Sequence, residues 1–237
     1  DMNFGYDGTL VLKNMTLQAK GYQKIAIVGE SGAGKSTLLN LLGGFLRPNS
    51  GDFEIDGQTI PHFAQKDWQK QFFYMPQHPY IFHETLRDNI TFYAPQASDA
   101  AVAAAIEQAG LQSLVATLPD GLDTVMGESG RQVSGGQAQR IALARMLLDE
   151  QRHVLLFDEP TAHLDIETEY ELKQTIAPIL ANHLVFFATH RLHWLDQMDY
   201  VLVMRDGQIV EQGEPAVLLA DSQSALNHLR SELRGGQ

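Results

Sequence analysis

The chain has no cysteine among its 237 residues, which excludes structural disulfides, cysteine-ligated zinc and thiol catalysis. Basic residues are also scarce: 17 Lys and Arg stand against 29 Asp and Glu, a net charge of −12. An acidic chain repels phosphate backbones at long range, so a nucleic-acid partner is not expected, and an anionic ligand must be held by a local site. Long apolar runs are missing as well. Ile25 to Val28, Val154 to Phe157 and Leu184 to Ala188 are of strand length, far short of the roughly 20 residues that cross a bilayer. No basic stretch followed by an apolar run opens the chain, so no signal peptide is expected in it. It starts at Asp1 rather than Met, as expected of a piece of a longer polypeptide. What is present, 44% apolar and 19% charged residues, is the composition of a globular chain able to bury a core.

Short apolar runs alternate with helical patterns. Lys24 to Gly29, Phe72 to Pro76, His153 to Pro160 and His183 to His190 read as strands, and a helix is expected from Lys35 to about Phe45. Asp199 to Gly213 reads as a hairpin turning at Asp206-Gly207. Strands spaced by helices argue for a parallel sheet covered on both faces. From Thr85 to Leu148 strand signals all but vanish. Ser98 is placed to cap an Ala-rich helix to Ala109, and Ser134 one that runs to Leu148.

Gly29-Glu30-Ser31-Gly32-Ala33-Gly34-Lys35-Ser36-Thr37 fits G-x-x-x-x-G-K-[ST] between a strand and a helix. Glycines allow successive N–H groups to converge on one concavity, and the helix start adds its positive dipole end. In such a loop Lys35 reaches the β- and γ-phosphates and the Ser36 hydroxyl binds Mg²⁺. The dry strand Val154 to Phe157 delivers Asp158 at its carboxyl end, where open α/β sheets bind ligands. Asp158 is placed to hold Mg²⁺, and Glu159 to take a proton from an attacking water.

Four further features narrow the class. Ser134-Gly135-Gly136-Gln137 opens a long helix and forms a second anion-binding N-terminus. Gln77 follows one strand, Asp165 comes soon after Glu159, and His190 ends the next strand. Together these motifs resemble the nucleotide-binding domain of ABC transporters, over essentially the whole chain. The resemblance implies an α/β fold: a P-loop NTPase (RecA-like) core with an N-terminal antiparallel β subdomain and an inserted α-helical subdomain. The core and the β subdomain together are expected over about 1–77 and 150–237, and the helical subdomain over about 78–149.

The resemblance also implies roles. Tyr6 would stack on the adenine of ATP, and Gln77 would touch Mg²⁺ and the attacking water. Ser134, Gly135, Gly136 and Gln137 would complete the ATP site of a second ABC ATPase domain, with Ala162 to Asp165 as the loop between the two sites. His190 would contact the γ-phosphate. Thr124 to Gly130 looks like the extra loop of exporter-type members, with Glu128 facing the transmembrane partner. Tyr80 to Glu84 would line the groove for that partner's coupling helix. Such a domain works at the cytoplasmic face of the cell membrane, with the membrane domain expected before residue 1. Gly136 to Arg140 and Thr189 to Asp199 look most like half-transporters that export cysteine and glutathione for cytochrome bd assembly.

Three positions depart from the family pattern. Val133 replaces the usual leucine, Ala138 stands where many exporters carry a basic residue, and His163 replaces a small residue. Other classes fit less well. DNA-repair members insert long coiled coils, but only 60 positions separate Gln77 from Gln137, and they carry no heptads. Translation-factor members carry two such domains joined by a charged linker. A P-loop kinase needs no Ser-Gly-Gly-Gln segment. An importer ATPase subunit is the remaining alternative, which the Gly127-Glu128 loop disfavours.

Overall fold

A computed structural model describes residues 1–128, 130–149, 152–162 and 164–235. His163, and Ser129 within the Thr124 to Gly130 stretch, lie outside the described residues. The chain divides into two compact units.

The first unit holds Asp1–Tyr74, His153–Glu159 and Leu180–Gln237. β1 (Met2–Tyr6) and β2 (Thr9–Met15) form an antiparallel hairpin, as do β4 (Phe53–Ile55) and β5 (Gln58–Ile60). The main sheet combines β3 (Lys24–Val28), β6 (Phe72–Met75), β7 (Val154–Asp158), β8 (Leu184–Thr189), β9 (Tyr200–Arg205) and β10 (Gln208–Gly213). Its order is β10-β9-β3-β8-β7-β6. β7, β8, β3 and β9 run parallel, whereas β10 folds back antiparallel on β9. The expected parallel sheet is therefore mixed at one edge, because the two-residue turn at Asp206-Gly207 permits only an antiparallel return. All five residues of β7 are buried, matching its unbroken apolar run.

Helix α1 (Lys35–Leu42) leaves β3 through the Gly29–Gly34 loop. Gly34 caps it at φ 100°, a left-handed conformation natural to glycine. The helix stops three residues before the expected Phe45, since Gly44 turns the chain at φ 70°. Leu38, Leu39, Leu41 and Leu42 pack with Ile25, Ile27, Leu156 and Phe186 in the core. The short α2 (Lys66–Gln69) is pinned by Trp68, whose indole N–H donates to the Leu42 carbonyl at 2.7 Å.

The second unit holds Met75–Arg152 and Pro160–Ile179. It contains α3 (Leu86–Ile90), α4 (Asp99–Gln108), α5 (Gln112–Thr117), α6 (Gly135–Leu147) and most of α7 (Ile166–Leu180). Ser98 caps α4 by accepting from the Ala101 N–H, as its sequence position suggests. In the first unit α8 (Pro215–Ala220) and α9 (Ala225–Gly235) follow the β9–β10 hairpin. Among the described residues no helix is long and apolar enough to cross a membrane.

Candidate functional site

Three neighbouring strands of the first unit end in a row. Val28 pairs with Thr189, and Asp158 with Ala188. Gly29, Glu159 and His190, each next along its chain, thus come off one edge of the sheet, and five of the predicted residues meet there.

Lys35 is 6% exposed. Its ammonium donates to the Gly29 and Glu30 carbonyls at 2.9 and 3.0 Å and lies 3.6 Å from a Glu159 carboxylate oxygen. The Ser36 hydroxyl donates to Asp158 Oδ1 at 2.9 Å. Burial pushes the Asp158 carboxyl above its usual value, against the pull of hydrogen bonds from Ser36 and Tyr74. The Glu159 carboxylate lies 2.8 Å from His190 Nδ1. That hydrogen bond, more than the charges of His190 and Lys35, holds Glu159 below the usual carboxylate range despite partial burial. Glu159 also has φ 48°, a conformation rare for a long side chain, and strained backbone clusters at functional sites. Its own N–H continues the ladder to the Ala188 carbonyl at 2.9 Å.

The rest of the loop forms the cradle. Ala33 is buried, Glu30, Ser31, Gly32 and Ser36 are exposed, and Thr37 is half-buried. Tyr6 ends β1 with 52% of its surface exposed, its ring edge-on to Phe4 at 4.9 Å.

The second unit carries the remaining predicted residues. Ser134 accepts from the Gln137 N–H at 3.2 Å, and the Gln137 side chain accepts from the Ser134 N–H at 3.0 Å. This reciprocal capping box fixes the first turn of α6 and leaves the Gly135 and Gly136 N–H groups at its open end. A Cβ on Gly136 would stand 3.0 Å from Leu164 Cδ2. Ser134, Gly135 and Ala138 line one groove of about 310 Å³ with Gln77 and Glu128. Asp165 accepts from the N–H and hydroxyl of Thr168 at 2.9 and 2.8 Å, and the first of these does most to hold its carboxyl below the usual range.

Sequence reasoning missed two features. Tyr74 donates to Asp158 Oδ2 at 3.2 Å; burial, and then the Asp158 charge, push its phenol far above the ordinary tyrosine value. Arg145 is buried in α6 and donates to the Asn89 and Tyr80 carbonyls, while Asn89 binds the Phe82–Thr85 backbone. The Met126 N–H donates to the Glu84 carbonyl, so the exporter-like loop and the Tyr80–Glu84 loop are joined. A cation inside the apolar pattern IALARML was a readable signal for Arg145. Tyr74 lies in no motif and had none.

A family profile described as "ABC transporter" matches residues 12–162. The glutathione/L-cysteine transport system ATP-binding/permease protein CydC of Bacillus subtilis (strain 168) is 52% identical over 208 residues, covering 88% of this chain and 36% of that protein. The ATP-dependent lipid A-core flippase of Neisseria meningitidis serogroup B is 36% identical over 222 residues, covering 94% of this chain and 36% of the flippase. This chain therefore spans about a third of the length of these relatives. A solved structure of a bacterial Atm1-family ABC exporter with ATP bound superposes with a TM-score of 0.88 at 35% identity, covering 98% of this chain and 40% of that one. With the phosphate-loop lysine, the paired carboxylates and the capped Ser-Gly-Gly-Gln helix in place, this chain belongs to the ABC transporter family as an ATP-binding domain.

Proposed function

We propose that the chain is the ATP-hydrolysing motor domain of an export half-transporter, working at the cytoplasmic face of the cell membrane. The observation that carries this reading is the convergence of Lys35, Ser36, Asp158, Glu159 and His190 at one sheet edge. ATP enters with adenine against Tyr6 and its phosphates in the Gly29–Thr37 cradle, where Lys35 exchanges its two carbonyl partners for phosphate oxygens. Ser36 and Asp158 offer hard oxygen donors already joined at 2.9 Å, a donor set that suits Mg²⁺ shared with phosphates. Gln77 is proposed as a further oxygen donor. Mg²⁺ when bound offsets charge developing on the phosphate oxygens. Glu159 takes a proton from water as the water oxygen bonds to the γ-phosphorus and the bond to the β-phosphate oxygen breaks. His190 and Lys35 stabilise the charge that develops.

The Ser134–Gln137 helix end serves the nucleotide of a second ABC ATPase domain, identical or related, and Asp165 stands at the loop between the two sites. Without nucleotide, two positive helix ends have nothing to share, so closure depends on ATP. The Tyr80–Glu84 loop receives the transmembrane domain's coupling helix. Similarity to the Bacillus subtilis protein supports cysteine or glutathione as cargo.

Glu159→Gln is expected to bind ATP, hydrolyse it about 10²- to 10⁴-fold more slowly, and accumulate as a dimer on gel filtration. Normal turnover would refute the assignment of the base. Uptake of labelled glutathione into inverted vesicles containing the intact transporter, abolished by Lys35→Ala, tests the cargo.

A further inference from the structure

Asp158 is 6% exposed, and each of its carboxylate oxygens accepts a hydroxyl. Ser36 reaches Oδ1 at 2.9 Å and Tyr74 reaches Oδ2 at 3.2 Å. The second hydroxyl comes from β6, the strand beside β7 in the sheet order. The Tyr74 ring is itself held: Phe45 packs edge-on against it at 5.2 Å and against Phe72 at 5.8 Å. The terminal torsion of an aspartate is broad, so one donor leaves the carboxylate plane free to swing. Two donors on opposite oxygens fix it.

We propose that Tyr74 is a positioning residue of the divalent-cation site, its hydroxyl locking the Asp158 carboxylate so that Oδ1 stays on the Ser36 hydroxyl. With the Ser36 proton committed to Asp158, the serine lone pairs are left for the ion. Tyrosine suits the task, since it reaches across from an adjacent strand on a stiff ring with only two side-chain torsions. The inference rests on the reading of Ser36 and Asp158 as the cation's ligands.

Mn²⁺ binding, counted by electron paramagnetic resonance of the free ion, tests it in the presence of a non-hydrolysable ATP analogue. Tyr74→Phe and Tyr74→Met both fill the space without a hydroxyl. Each is expected to bind the analogue as wild type does in EDTA, and to lose about five- to tenfold in Mn²⁺ affinity. Phe45→Leu loosens the same ring but keeps the hydroxyl, and is expected to lose clearly less Mn²⁺ affinity than either Tyr74 variant. Unchanged Mn²⁺ affinity in both Tyr74 variants overturns the proposal, and so does an equal loss in Phe45→Leu. A wild-type complex that binds Mn²⁺ no better than the free analogue faults the cation site itself, a result distinct from any failure of Tyr74.

Discussion

Replacing Asn89 by alanine tests how the second unit holds the loop that runs from Phe82 to Thr85. Asn89 is fully buried and its side chain makes five hydrogen bonds. Its amide nitrogen donates to the Phe82, Glu84 and Thr85 carbonyls, and its oxygen accepts from the Phe82 N–H and from Arg145. At about 1 kcal/mol net per bond, with little from the 3.3 Å bond to Glu84, the loss comes to about 3–4 kcal/mol. That is a large share of a total stability of about 5–15 kcal/mol. Urea unfolding followed by circular dichroism at a helix wavelength is the suitable assay, since both tryptophans, Trp68 and Trp194, lie in the first unit. Combining Asn89→Ala with Arg145→Met is expected to cost at least about 1 kcal/mol less than the sum of the two, because they share a partner. A loss below about 1 kcal/mol for Asn89→Ala alone would show that water replaces these bonds freely, and the reasoning would fail.

Two further outcomes are expected. Ser134→Ala removes one half of the capping box on α6 and is expected to cost about 1 kcal/mol, a fall in melting temperature of about 2–4 °C; a variant that melts with wild type contradicts this. Glu159 has a depressed carboxyl, so its ionised form contributes stability above the unfolded-state value, and that contribution disappears as pH falls through the lower folded value. The melting-temperature advantage of wild type over Glu159→Gln is therefore expected at neutral pH and to shrink below about pH 4; an advantage constant down to about pH 3 would disprove the linkage.

β3, β6, β7 and β8 were legible because each is a short apolar run bounded by polar or turn residues, and the β9–β10 hairpin because Asp206-Gly207 permits the tight reversal its φ values of 50° and 77° record. The caps at Ser98 and Ser134 were legible because a serine oxygen three residues before a free N–H is a local matter. Tyr74 and Asn89 were not legible, and for one reason. Their roles depend on which strand lies beside β7 and which loop lies over α6, and neither neighbour is set by nearby sequence.

The row formed by Val28, Asp158, Ala188 and Thr189 works as a ruler. Side chains alternate faces along a strand, so a slip of one step would turn Asp158 away from Ser36 or His190 away from Glu159. A single-codon insertion within 154–158 or 184–189 should thus silence the domain, whereas the same insertion at the Asp56-Gly57 turn, far from the row in the chain, should be tolerated. An indel scan would trace the outline of the chemistry without touching one of its reactive groups.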